Sequence, residues 1–309
     1  MRLSQCRFAH RNIFDSSPLL PPGRRSHHKR HVPHGFRCTS MIRGTTELVA
    51  IVGSPIAQVK SPQNFNGWFE RHGKDASMIP IDLDGGSLDH FIDAMRAWRN
   101  LRGCVVTVPY KQQVAPRLDA LSLRAEALAC VNVIRREADG RLVGDNVDGD
   151  GFLNAARGHG FEPAGARALV IGAGGVGSAI AWALCEQGAA SVTVVDIDAP
   201  RARRLRELLA RHHPGTDIEP HFDTLAPFEL VANASPAGME GYAPLPLEAI
   251  TLATLRPATL VADVVTAPEV TPFLELARRA GCPIQTGAEM ALAQFGNLGA
   301  FMNVTPLEV

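Results

Sequence analysis

From residue 47 onward the chain alternates between two spacings of apolar residues. Leu48-Val49-Ala50-Ile51-Val52, Met78 to Leu83 and Cys104-Val105-Val106-Thr107 are apolar runs of strand length, and they predict strands. Between them, Pro62 to His72 and Leu88 to Trp98 carry apolar residues at helical spacing, the second with a polar face. Strand, helix, strand, helix, strand describes an α/β domain. Val131 to Arg136 and Leu142 to Val143 flank Asp139-Gly140 as a hairpin would, and Gly151 to His159 reads as a linking helix. A second alternation follows, with strands over Ala168-Leu169-Val170-Ile171 and Ser191-Val192-Thr193-Val194-Val195 on either side of a helix over Ser178 to Cys185. This unit extends over about 167–286, and Gly287 to Met302 then reads as a helix. No internal repeat marks a solenoid.

The turn from strand to helix in the second unit is Gly172-Ala173-Gly174-Gly175-Val176-Gly177. Gly172 can make the tight turn, Gly174 lets backbone approach a pyrophosphate, and Gly177 lets the helix pack on the strand. Amides at the helix start then favour the anion. With strand before and helix after, the loop implies a dinucleotide. The next strand ends at Asp196, the expected twenty-odd residues on, where a carboxylate bonds ribose hydroxyls and repels a 2′-phosphate. Asp196-Ile197-Asp198 therefore favours NAD, while Arg201, Arg203 and Arg204 keep NADP open. The plainer alternatives are that Asp196 caps the following helix and that the arginines form its solvated face.

Two polar islands upstream, Thr107-Val108-Pro109-Tyr110-Lys111 and Gly144-Asp145-Asn146-Val147-Asp148-Gly149, suggest a substrate and the residues that act on it. Without further support, Lys111 and Asp148 would be read as a structural ion pair.

The 309 residues have room for two domains, the 46% hydrophobic content is that of a globular protein, and no apolar run is long enough to span a bilayer. Net charge is zero, but residues 1–40 hold eight basic residues and only Asp15 as an acid. The remainder keeps 23 of the 31 basic and 30 of the 31 acidic residues, which excludes a nucleic-acid footprint. Six scattered cysteines and no evident secretory signal point to reduced thiols and the cytoplasm. The first forty residues, rich in Pro, Arg and His without apolar period, read as a disordered extension, either a transit segment or the product of an upstream start. Their His and Cys residues lack an ordered zinc spacing, so no metal is expected.

Six stretches in order, Gly53 to Pro62, Thr107 to Lys111, Val131-Asn132-Val133, Gly144 to Gly149, Asn233-Ala234-Ser235-Pro236-Ala237-Gly238-Met239 and Gly287 to Gln294, resemble the shikimate dehydrogenase family. The resemblance runs from about residue 47 to 300. It implies an α/β protein of two domains: a catalytic domain over 41–150 joined by 287–309, a Rossmann NAD(P)-binding domain over 151–286, and a final helix returning to the first domain. It also implies NAD(P)-linked interconversion of a cyclic hydroxy acid, shikimate or quinate in type, and its 3-dehydro ketone. Lys111 matches the catalytic lysine and Asp148 its partner; Ser61, Thr107, Asn132, Thr266 and Gln294 fall at substrate-binding positions. Gly172, Gly174, Gly175, Val176, Gly177, Asp196, Asn233, Ser235 and Gly287 are the cofactor-binding candidates.

Removing hydride from a carbinol carbon requires a group to take the hydroxyl proton, a role suited to Lys111 with Asp148 orienting it. The departures from the family pattern all reduce polarity. Val59 replaces a serine, Val105 an asparagine, Val147 a threonine, and Thr266 a tyrosine. Fifteen residues follow Gln294, so the last family helix is expected to be short or missing. The resulting expectation is an NAD-linked dehydrogenase. The alternatives are an NADP-dependent biosynthetic shikimate dehydrogenase and a non-enzymatic NAD-sensing protein, and a homodimer is left open.

Overall fold

The computed structural model describes residues 42–308, so the expectations for residues 1–40 lie outside it. The first part of the chain gives β1 (Glu47–Gly53), α1 (Ser61–Arg71), β2 (Ala76–Asp82), α2 (Leu88–Ala97), β3 (Leu101–Val106), β4 (Ala120–Leu121), α3 (Leu123–Leu128), β5 (Val133–Arg136), β6 (Leu142–Asp145) and α4 (Asp148–Gly158). The second gives β7 (Arg167–Ile171), α5 (Gly175–Glu186), β8 (Ser191–Val195), α6 (Ala199–His212), β9 (Asp217–Glu219), β10 (Leu230–Asn233), α7 (Ala249–Leu252), β11 (Leu260–Asp263), α8 (Pro272–Arg279), β12 (Ile284–Gln285), α9 (Gly287–Ala293) and α10 (Phe295–Phe301).

The first six strands form a mixed sheet in the order β2-β1-β3-β5-β6-β4. Its β2-β1-β3 part is parallel, and β5 joins antiparallel to both β3 and β6. The second sheet, β12-β11-β10-β7-β8-β9, is parallel throughout, the order of a doubly wound nucleotide-binding fold. Its central strands are apolar runs because both faces are covered. α5, buried nearly all round, packs against β7, β8, α4 and α6.

The helices follow local rules. Phe65 and Phe69 on α1, and Leu88, Ile92 and Met95 on α2, share one buried face at helical spacing. Ser122, Asp198 and Thr271 cap α3, α6 and α8 through their side chains, and Thr286 with Glu289 forms a capping box on α9.

Two elements differ from expectation. The linking helix begins at Asp148 rather than Gly151, which places that carboxylate in a helical first turn, where the macrodipole favours it. The stretch from Gly287 to Met302 is two helices, separated by a turn at Gln294. α10 does return to the first sheet. It packs on α1 and β5, the Phe65 and Phe295 rings lie 4.5 Å apart, and Arg135 donates to the Phe301 carbonyl at 3.3 Å.

Candidate active site

Asp148 is the meeting point of four stretches of chain. Its Oδ2 accepts from Lys111 Nζ at 2.6 Å, and its Oδ1 accepts from Asn132 Nδ2 at 2.8 Å and from Gln294 Nε2 at 2.7 Å. Lys111 stands on the loop after β3, whose Tyr110 is buried and whose Lys111 carbonyl accepts from Val131 N. Asn132 precedes β5, and its Oδ1 accepts from Val147 N at 2.9 Å. Asn146 Oδ1 accepts from Asp148 N at 3.1 Å, a role not foreseen from sequence although Asn146 lies inside the second polar island. The break between α9 and α10 falls at the residue that bonds Asp148.

Side-chain exposure is 17% for Lys111 and 5% for Asp148. A buried carboxylate alone would be costly, and three donors offset that cost. The ammonium commits one of its three donors to Asp148, which leaves capacity for an oxygen of a bound molecule. Asn132 and Gln294, expected as substrate contacts, thus also hold the carboxylate. Ser61 and Thr107 are half-buried and Thr266 is exposed; among the described residues no hydrogen bond ties their side chains to this cluster. Val105 and Val147 are buried in one apolar cluster with Phe65 and Phe295, and Val59 packs against it.

The glycine loop is formed as its spacing requires. Gly172 adopts φ +105°, and a Cβ there would come within 2.8 Å of the Ala234 carbonyl oxygen. A Cβ on Gly177 would fall on the carbonyl oxygen of Gly172, whereas at Gly174, which caps α5, nothing lies within 4 Å. Gly175 follows as the first residue of α5, with Val176 half-buried beside it. At Gly287 a Cβ would meet the Val264 and Val265 carbonyls at 2.5 Å.

The remaining nucleotide candidates brace loops. Asp196, with 5% of its side chain exposed, accepts from Ala173 N at 2.7 Å and Asp198 N at 2.8 Å. Arg201 lies 3.6 Å from Asp196 and 3.2 Å from Asp198. Asn233 is fully buried; it donates to Ala237 O and Asp263 Oδ1 and accepts from the Ser235 amide and hydroxyl. Asp263, which sequence reasoning missed, also accepts from Val265 N and Thr271 Oγ1, and burial pushes its carboxyl above the usual range against those bonds. Beside the loop, Gln112, Leu128, Gly174, Ser178, Arg201 and Arg204 line a groove of about 570 Å³.

The family model for the shikimate dehydrogenase substrate binding domain matches residues 51–134. The NADP(+) shikimate dehydrogenase of Rhodospirillum rubrum is 37% identical over 266 residues, covering 82% of this chain and 90% of the relative. Among solved structures, the shikimate 5-dehydrogenase of Listeria monocytogenes in complex with shikimate and NAD superposes with a TM-score of 0.80 at 27% identity, over 88% of this chain and 97% of that one. The 5-ketofructose reductase of a Gluconobacter strain superposes with a TM-score of 0.76 at 28% identity, over 85% and 95%.

Proposed function

This chain belongs to the shikimate dehydrogenase family, and on that premise we propose that it is an NAD-preferring dehydrogenase. It interconverts a cyclic hydroxy acid of shikimate or quinate type and its 3-dehydro ketone. The observation that carries this reading is the buried Asp148 carboxylate held by Lys111, Asn132 and Gln294. We divide the chain into a catalytic part over 41–150 with 287–309 and a nucleotide-binding part over 151–286, on the grounds of its two sheets and the return of α10.

The residues fit a dinucleotide. The left-handed Gly172, the open face of Gly174 and the close approach at Gly177 make a loop whose amides can take a pyrophosphate. When bound, the nicotinamide accepts or supplies the hydride. In the oxidation Lys111 acts as the neutral amine and takes the substrate hydroxyl proton, becoming the ammonium that returns it in the reduction. Asp148 aims the ammonium and accepts from a neighbouring substrate hydroxyl, while Asn132 and Gln294 keep its Oδ1 satisfied. Ser61, Thr107 and Thr266 are assigned to the substrate rim.

The sequence position of Asp196 at the end of β8 supports NAD, since a carboxylate there disfavours a 2′-phosphate by like charge, and Arg201 is already drawn to Asp196 and Asp198. The name of the R. rubrum relative favours a second reading, an NADP-dependent shikimate dehydrogenase. Steady-state kcat/KM for shikimate and quinate with each nucleotide separates them. We expect the larger value with NAD; a larger value with NADP selects the second reading, and no turnover with either leaves a nucleotide-binding protein. Among the described residues no helix is long and apolar enough to cross a membrane, and the described cysteines are free and buried, which supports assignment to the reducing cytoplasm.

A further inference from the structure

Among the described residues no hydrogen bond or ion pair joins Arg124 on α3 to a residue assigned to substrate or nucleotide, yet its guanidinium is engaged on all three nitrogens. Nε and Nη2 donate to the two oxygens of Asp145, each at 2.8 Å, in a bidentate fork. Nη1 lies 2.7 Å from Asp150 Oδ2 and 3.8 Å from Glu186 Oε2 on α5. Ser122 Oγ donates to Asp145 as well while capping α3.

Asp145 ends β6 and Asp150 sits in the first turn of α4, so this one cation holds the chain on both sides of Asp148. From Asp145 the connection continues inward, since its Oδ1 accepts from Asn146 N at 2.7 Å and Asn146 Oδ1 accepts from Asp148 N. Burial pushes the Asp145 carboxyl upward, but the Arg124 fork and charge, with Ser122 and Asn146, hold it below the usual carboxylate range. At Asp150 burial prevails over the same guanidinium. Asp145 and Asp148 are buried and Asp150 is half-buried, so three carboxylates within six residues would repel one another and loosen this turn without cations beside them.

We propose that Arg124 is a positioning residue, which fixes the turn from Asp145 to Asp150 and thereby the aim of the Lys111–Asp148 pair. The inference rests on that pair being the reacting one. A planar fork is required, because a lysine at 124 would act as a point charge and could not grip Asp145 and Asp150 together.

The test uses the full chain as K111A, R124A, R124K and D150N, with kcat, KM, nucleotide affinity and Tm measured for each. R124A should lose roughly ten- to hundredfold in kcat, as small misplacements of reacting groups do, with little change in nucleotide affinity. R124K should recover only part, and added guanidinium ion should partly restore kcat in R124A at a temperature where that variant is already fully folded, so that regained folding does not account for the rescue. Folded R124A with parental kcat would overturn the proposal, whatever its Tm. Should R124A fail to fold, D150N, which removes one arm of the grip, is expected to lose kcat several-fold, and parental kcat there overturns the proposal equally. Parental turnover in K111A would sink the underlying reading, and the inference with it; a dead K111A beside a fully active R124A sinks the inference alone.

Discussion

Around Asp148 the proposed working groups are side chains from four separate stretches, Lys111, Asn132, Asp148 and Gln294, which satisfy one another. At the glycine loop the proposed working surface is backbone; Asp196 is turned inward to brace it through Ala173 N, and Asn233 braces the neighbouring turn at Ser235 and Ala237. The first region depends on chemical identity at each position and the second on the absence of atoms. They should therefore fail differently. A substitution at the first should remove function and leave the nucleotide bound, whereas a substitution at the second should act through fit.

The largest expected effect is at Lys111. K111A removes the proposed proton-transfer group and leaves the Asp148 carboxylate with Asn132 and Gln294 as its partners, so kcat should fall by roughly a hundredfold or more. Nucleotide affinity, measured by fluorescence titration, should change little. A parallel loss of nucleotide affinity would blur the two regions into one.

Two glycines test the other region. G177A places a methyl on the Gly172 carbonyl, and the resulting overpacking should cost about 1 to 3 kcal/mol of stability, read as a lowered denaturation midpoint. G174A has nothing within 4 Å, so its midpoint should match the parent while nucleotide affinity falls by roughly tenfold, equivalent to about 1.4 kcal/mol. A G174A protein that binds nucleotide as well as the parent would remove this position from the binding loop.

The same contrast explains what the sequence made legible. Backbone sites announce themselves by spacing: Gly172, Gly174 and Gly177 between an apolar strand run and a helix could be read directly, and β7, α5 and β8 lie where that run placed them. Side-chain sites do not. Only the family resemblance pairs Lys111 with Asp148 in the sequence, because 37 residues separate them and nothing local brings them to 2.6 Å. Asn146, Arg124 and Asp263 had no periodic signal, since their partners come from other elements. The start of α4 was displaced because Gly144 to Gly151 has the glycine and aspartate content of a loop, and tertiary contacts with α5 and α9 override that composition. Likewise the apolar spacing from Gly287 to Met302 is continuous and concealed the turn at Gln294.

Val105 sharpens the side-chain region further. It lies with Val147, Phe65 and Phe295 in an apolar cluster, so a substrate hydroxyl lodged against that wall would lose water without gaining a partner, at about 1 to 3 kcal/mol. V105N should raise kcat/KM for shikimate relative to an analogue lacking one ring hydroxyl by roughly tenfold, the lower part of that range. It should also lower Tm, because an amide enters the cluster. An unchanged ratio would mean that the valines do not set specificity.

The smallest effect separates the two regions by the sign of their electrostatics. Asp145, near the proposed site, is held low by a guanidinium against burial, whereas burial raises Asp263 at the end of β11, whose donors among the described residues are neutral, Asn233, Thr271 and the Val264 and Val265 amides. A carboxyl whose native pKa exceeds its unfolded value binds its proton more tightly when folded. Its contribution to stability is therefore complete below the ordinary 3.8 and is lost as pH rises through the raised native value. In D263N the amide oxygen can still accept from Asn233 and Val265, and its new donor can face Thr271 Oγ1, but the Thr271 hydroxyl hydrogen loses its acceptor. That lost bond shifts the variant's stability by the same amount at every pH, so the two proteins are compared by how their difference changes with pH. As pH falls through the raised native value, the parent should gain on the variant and then level off below about 3.8. Tm of the two proteins across that range decides the matter: parallel profiles would mean that Asp263 titrates alike in both states, and that this carboxylate finds compensation at the end of β11 beyond its neutral donors.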